Sequence, residues 1–346
     1  MTIVETRPIT GGVDTHLDVH VVAALNDIGG LLGVEEFAAD PAGYRQLLGW
    51  LRSFGPVELV GVEGTGSYGA GLARHLRGAS VKVVEVDRPN RQDRHRQGKS
   101  DSIDAVSAAR AALSGSASGA GKTRDGVVEA IRVLTVAKRS GREERIKTLN
   151  QLRQLAFCAP DGLRERCKDL SRVKLVSEAA ALRPRVDSDV VVQTTKFAMR
   201  ELARRIQALD AERARIDALL EPLVAGYAPE LLAVYGIGFD TAAILLVAAG
   251  DNAERLYSEA AWAHLCGVAP IPASSGKTTG RYRLNPGGNR QANHALHRIV
   301  ITRMAGDART GAYVARRTTE GRSKREIIRS LKRYVAREIY RHLPRG

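Results

Sequence analysis

The 346 residues, 44% of them hydrophobic, are enough for about two globular domains, and no apolar run approaches the ~18 residues a membrane-crossing helix needs. Charge is lopsided: the chain carries a net +15, and from residue 281 to the end 17 Lys/Arg face four acids, a local +13 (17 − 4). That excess argues against a neutral scaffold and for a polyanionic partner, with nucleic acid the leading class. The start of the chain has no charged-then-apolar leader pattern, so a cytoplasmic protein without a membrane partner is expected. Cys158, Cys167 and Cys266 show no Cys-x-x-Cys spacing, which argues against a disulfide framework and against zinc.

In chain order, strands are expected at Gly12-Val13-Asp14, at 19–25 and at 31–37, with Asn26 to Gly30 as the turn between the last two. Asp40-Pro41 opens an amphipathic helix to Phe54. A strand at 57–62, a helix at 68–76, a strand at 81–86 and an Ala-rich helix at 103–113 follow. The order β-β-β-α-β-α-β-α predicts an α/β layer domain over 1–113, and the ribonuclease-H-like fold has this order. The small-residue stretch 114–126 reads as a flexible linker, and its glycine spacing before Lys122 fails the phosphate-binding P-loop pattern.

Residues 127–225 read as a helical spacer. Leu202, Ile206, Leu209, Ile216, Leu220 and Leu223 recur in steps of three and four, a coiled-coil-like stripe able to pack within the chain or against another copy. Residues 226–346 form the last expected domain. There Tyr235-Gly236-Ile237-Gly238 resembles a helix-hairpin-helix turn, whose following helix start can meet a phosphate; a plain helix break is the competing reading. Ser274-Ser275-Gly276-Lys277, with Arg281, Arg283 and Arg290 beyond, suits a basic loop, a phosphate pocket, or an exposed nucleophilic serine beside a cation. The final helix, 322–342, has Ile327, Ile328, Leu331, Val335 and Ile339 along one side and Arg/Lys elsewhere.

Four carboxylates carry the candidate chemistry. Asp101 and Asp104, three apart at a helix start, project to nearly the same side. Such a pair is ordinarily an exposed cap, and it repels itself unless a cation shares it. Asp14 and Glu63 each stand where a short apolar strand gives way to polar or glycine-rich residues. Two strand-end acids and a helical pair are the oxygen donors a divalent-metal nuclease needs, with Mg²⁺ the natural hard cation. Gly64-x-Gly66-x-x-Gly69, with Glu85 and Asp87 about twenty residues on, mimics a dinucleotide fingerprint. Glu63 directly before it would confront a pyrophosphate, and the motif does not follow the first strand of the sheet.

Taken together these residues resemble a DEDD-type insertion-sequence transposase, the Piv/MooV-related family of bridge-RNA-guided recombinases. The stretches that carry the likeness are Gly12-Val-Asp14, Glu63-Gly-Thr-Gly-Ser-Tyr68, Lys99-Ser-Asp101-Ser-Ile-Asp104-Ala, Tyr235-Gly-Ile-Gly, Gly267-Val-Ala-Pro270, Ser275-Gly-Lys and Gly288-Asn289-Arg290, in family order along nearly the whole chain. The resemblance implies a RuvC-like domain over 1–113 binding Mg²⁺ through Asp14, Glu63, Asp101 and Asp104, a coiled-coil spacer, and a mostly α C-terminal transposase domain. It implies a serine that attacks DNA, carried to Ser275 with adjacent Ser274 as the alternative. It also implies DNA ends and target, a structured guide RNA, and a dimer or tetramer as partners. Lys277, Arg281, Arg283, Arg290, Gly236 and Gly238 are the candidate nucleic-acid contacts. The competing reading is a metal-dependent junction-resolving nuclease with no covalent intermediate, and a further one is a non-catalytic nucleic-acid-binding protein.

Overall fold

A computed structural model describes residues 7–86, 100–117, 119, 121, 124, 126–184, 189–251, 256–272, 282–284 and 287–344. These fall into two compact units: Met1–Glu129 with Ala249–Trp262, and Ala130–Ala248 with Ala263–Pro344.

The first unit is built on a five-stranded mixed sheet. β1 (Ile9–Thr15), β2 (Val19–Leu25) and β3 (Leu31–Ala38) form an antiparallel meander, and β4 (Val57–Glu63) and β5 (Lys82–Val86) add in parallel, giving the order β3-β2-β1-β4-β5. Helix α1 (Pro41–Phe54) starts at Asp40, whose carboxylate accepts from the Ala42 and Gly43 amides, as the Asp-Pro pair predicts. Helix α2 (Ala70–Gly78) and α1 cover one face, burying Leu47, Leu51, Leu72 and Leu76 against Val13, Val22 and Val62. Helix α3 (Asp101–Leu113) covers the other face, where Ala105 packs on Val21 and Ala23. The sheet with helices on both faces is consistent with a ribonuclease-H-like N-terminal domain.

Two glycines decide how close α3 comes. Gly12 and Gly61 are direct neighbours across β1 and β4. A Cβ on Gly12 would lie 2.1 Å from the Ala109 amide nitrogen, and one on Gly61 2.6 Å from the Ala108 carbonyl oxygen. Small residues on both sides let backbone meet backbone. At the described residues, the stretch after α3 lies on this same unit: the Glu85 amide donates to the Gly119 carbonyl, and the Gly121 backbone abuts Thr65.

The second unit is helical apart from one short ribbon. Helices α4 (Val127–Phe157) and α7 (Val190–Tyr227) run antiparallel, since Lys138 pairs with Asp217 while Arg145 grips Asp210 through two hydrogen bonds of 2.7 and 2.9 Å. Helices α5 (Asp161–Cys167) and α6 (Arg172–Ala180) close their tip, where Leu152, Leu163, Val176, Met199 and Ile206 share one core. The apolar stripe on α7 thus packs within the chain at Ile206, and Leu220 is buried as well. Then come α8 (Pro229–Leu232), α9 (Phe239–Ala249), α10 (Glu259–Leu265), the β6 (Pro270–Pro272) and β7 (Tyr282–Leu284) ribbon, α11 (Arg290–Gly306), α12 (Ala308–Thr319) and α13 (Lys324–His342). Ile327, Leu331, Val335 and Ile339 are buried along α13, as its periodicity predicts. Cys158, Cys167 and Cys266 are free thiols. No helix among the described residues is long and apolar enough to cross a membrane.

Candidate metal and strand-transfer site

The acidic site grows out of the two glycines. Side chains alternate along a strand, so Asp14 faces the same side as Gly12, and Glu63 the same side as Gly61. The register that pairs Gly12 with Gly61 and Val13 with Val62 sets Asp14 and Glu63 at neighbouring ends of parallel strands, on the face α3 covers. Helix α3 begins there with Asp101 and Asp104 in its first turn. The positive end of a helix stabilises carboxylates at that position.

Asp14 and Asp104 are buried, at 7% and 9% exposure, while Asp101 lies nearer solvent. Burial raises the Asp14 carboxyl above its ordinary value, the charges of Asp104 and Asp101 raise it further, and His16 opposes the shift. His16 is a site residue that the acidic pattern does not reveal. Its Nε2 stands 3.2 Å from Asp14 Oδ2 and 3.6 Å from Asp101 Oδ2. One donor atom from each of Asp14, His16 and Asp101 lies within 4.8 Å of the others. The signal in the sequence is Asp14-x-His16 at the end of β1, a spacing that returns a side chain to the same face.

The site fits a divalent cation: Asp14, Asp101 and Asp104 crowd together, Asp14 and Asp104 are buried, and a cation beside them offsets both the repulsion and the burial. The donor set leaves the choice of metal open, because carboxylates suit Mg²⁺ or Mn²⁺ whereas an imidazole nitrogen favours softer ions. Glu63 is held from behind, its carbonyl accepting from Thr15 Oγ1 at 2.8 Å. The glycines after it shape a turn: Gly64 adopts φ +66°, its carbonyl accepts from Ser67 and Gly69, and α2 starts only at Ala70. Their role as a tight turn behind Glu63 accounts for the dinucleotide-like spacing.

In the second unit, Ser274, Ser275, Lys277 and Arg281 lie outside the described residues. Ala273 to Arg281 is bracketed by β6 and β7, which pair Pro270 with Leu284 and Pro272 with Tyr282. Arg283 lies on β7 opposite Ile271, and Arg290 is exposed at the first position of α11. The base of the ribbon is tied down by residues whose sequence signal was only a likeness to a family. A Cβ on Gly288 would lie 2.3 Å from Gly267 Cα, so these glycines are in backbone contact. Asn289 caps α11, its side chain accepting from the Gln291 and Ala292 amides. Asn293 Nδ2 donates to the Cys266 carbonyl at 2.9 Å, and buried Lys332 donates to Asn293 Oδ1 at 2.8 Å. Burial lowers the Lys332 ammonium, with Arg329 adding to the shift.

Gly236, at φ +85°, makes the turn between α8 and α9, and Arg303 clamps it by donating to the Tyr235 carbonyl at 2.9 Å. Gly238 faces open space in a hollow of about 390 Å³ shared with Arg298 and Thr302. The first turn of α9 already holds the Asp240 carboxylate, which pairs with Lys138.

Sheet order and acidic cluster fit the class of transposases that work from a carboxylate site on a ribonuclease-H-like sheet. Two family models match the chain, a transposase model over residues 11–156 and the "Transposase IS116/IS110/IS902 family" over 228–315. The chain belongs to the IS110 family of insertion-element transposases. It is 31% identical over 147 residues to the "Insertion element IS110 uncharacterized 43.6 kDa protein" of Streptomyces coelicolor, covering 42% of this chain. It is 27% identical over 134 residues to the "Insertion element IS900 uncharacterized 42 kDa protein" of Mycobacterium paratuberculosis, covering 38% of this chain. The matched segments span 34% of the length of each of these relatives.

Proposed function

We propose that this chain cuts and exchanges DNA strands as the transposase of an insertion element, using Asp14, Glu63, Asp101 and Asp104 to hold Mg²⁺ and Ser275 as the nucleophile. The observation that carries the proposal is the gathering of Asp14, Asp101 and His16 at the end of β1, with Glu63 ending the adjacent strand. When bound, the metal would neutralise charge developing on the scissile phosphate. Asp14 and Asp101 would fix the cation from strand and helix, and Glu63 and Asp104 would complete the oxygen donors. His16 Nε2, between two carboxylates, would hold their orientation.

In the proposed step the Ser275 hydroxyl oxygen bonds to phosphorus and the bond from phosphorus to the 3′ oxygen breaks. The serine proton is lost to a base, and the departing 3′ oxygen gains one. The phosphoserine link keeps the energy of the phosphodiester, so a 3′ hydroxyl from another strand can reverse the step. Ser274 is the alternative nucleophile. Arg281, Arg283, Arg290 and Lys277, with Gly236 and Gly238 at the α9 turn, would contact DNA phosphates, which set register rather than sequence. Target choice would rest with a paired guide RNA, and a dimer or tetramer would bring carboxylates and serine together.

The test is incubation with labelled element ends, the flanking transcript and Mg²⁺, resolved on a denaturing gel. A protein–DNA adduct is expected, lost in Ser275→Ala and in Asp14→Ala. Cleaved DNA with no adduct would replace this mechanism with a metal-only nuclease, and an adduct surviving in Ser275→Ala would move the nucleophile to Ser274.

A further inference from the structure

Helices α11, α12 and α13 enclose a cleft of about 660 Å³ in the second unit, and among the described residues none of the β6–β7 ribbon lines it. Its walls follow helical spacing: Arg309, Tyr313 and Arg316 rise along α12, and Tyr334 and Arg341 along α13. Val300, Leu331 and Val335 give it an apolar floor. Tyr235, 55% exposed, and Tyr334, 52% exposed, offer ring surface to solvent. Tyr334 meets Tyr313 edge-on at 5.8 Å, and the Arg316 guanidinium lies 5.3 Å from the Tyr313 ring centre.

The two carboxylates in the cleft wall are engaged. Glu338 accepts from Arg303 at 2.7 Å, and Asp307 accepts from the Thr310 amide at 2.9 Å as the cap of α12. Arg309 and Arg341 are exposed and have no carboxylate partner among the described residues. Exposed tyrosine faces inside a concave, positively charged, apolar-floored cleft are what unpaired nucleotides need: rings for bases to stack on and guanidinium groups for the phosphates. A duplex keeps its base faces inside its own stack and cannot use the tyrosines.

We propose that this cleft binds a short single-stranded segment of nucleic acid, with bases stacked on Tyr334 and Tyr235 and phosphates met by Arg309 and Arg341. The proposal extends the reading of the chain as a nucleic-acid enzyme, but it needs neither metal nor cleavage. Both DNA and RNA present this chemistry, and the test separates them.

Full-length protein in EDTA is titrated into fluorescein-labelled oligothymidylate, oligouridylate and a duplex of equal length, and followed by anisotropy. Tyr334→Ala is expected to weaken single-strand binding about 5- to 100-fold, with Tyr334→Phe retaining it and duplex affinity unchanged. Arg341→Gln should reduce the salt dependence by about one counterion. Whichever oligonucleotide depends on Tyr334 identifies the sugar. In Tyr334→Trp, the exposed indole should be quenched by the single strand. Equal weakening for duplex and single strand, unchanged binding in Tyr334→Ala, or an unquenched Trp would each overturn the proposal. The same titration on Asp14→Asn protein keeps the two readings apart. Cleavage in Mg²⁺ that persists in Asp14→Asn protein, with Tyr334-dependent binding intact, strikes only the carboxylate mechanism, whereas binding that does not depend on Tyr334 strikes only the cleft.

Discussion

At the residue scale the decisive group is Asp14. Its folded-state carboxyl lies above the ordinary value, chiefly through burial and then through Asp104 and Asp101. A carboxyl raised in this way adds stability below the unfolded carboxylate value of about 4 and loses it as pH rises through the folded value. At neutral pH, without metal, Asp14 therefore destabilises the fold. Asp14→Asn should raise the melting temperature of EDTA-treated protein by a few degrees while abolishing strand cleavage. Mg²⁺ should stabilise the natural protein and leave the variant unmoved, because ligand binding to the native state is what shifts the transition. Calorimetric melts with and without Mg²⁺ read both effects, and a variant melting below the natural protein in EDTA would show that Asp14 is already compensated by His16. His16 itself is a residue that acidic pattern alone does not find, since a lone histidine after a strand is common and its partner Asp101 lies 85 positions away (101 − 16).

At the element scale the site depends on the approach of α3 to β1 and β4. A Cβ at Gly12 would meet the Ala109 nitrogen at 2.1 Å and the Ala105 carbonyl at 2.3 Å, both backbone atoms that cannot swing aside. Gly12→Ala should destabilise the first unit by at least about 2 kcal/mol in urea unfolding, since the helix has to move off the sheet. It should also impair metal binding, because Asp101 and Asp104 move with α3. Preserved stability would mean that α3 shifts without penalty. The strands, α1, α3 and α13 were legible from alternation, capping and periodicity. The start of α2 was not, because the glycine turn after Glu63 delays it to Ala70. Nor was the contact between Gly267 and Gly288 legible, since both read as loop glycines until the chain brings their backbones together.

At the scale of the whole molecule, charge separates the two ends. The +13 surplus beyond residue 280 lies mostly on α11, α12 and α13, whose inner faces are apolar and whose outer faces carry arginine and lysine. Lys324, Arg325 and Arg329 are exposed at the start of α13. Replacing all three by Gln should lower the slope of log affinity against log salt for duplex DNA by about one for each phosphate no longer neutralised, with little change in melting temperature. An unchanged slope would put the duplex on another face.

The sequence by itself determined the period of each main element, the sign and location of the charge, and four acids set at strand ends and a helix start. Those properties are local, written in spacing and composition. The tertiary structure alone decided that Gly12 and Gly61 lie side by side, and that His16 joins Asp14 and Asp101. It alone closed Tyr313 and Tyr334 into one cleft and anchored Cys266 to Lys332 through Asn293. Each of these joins residues that spacing along one segment does not bring together. Close packing and strand register create them, and no single stretch of the chain encodes them.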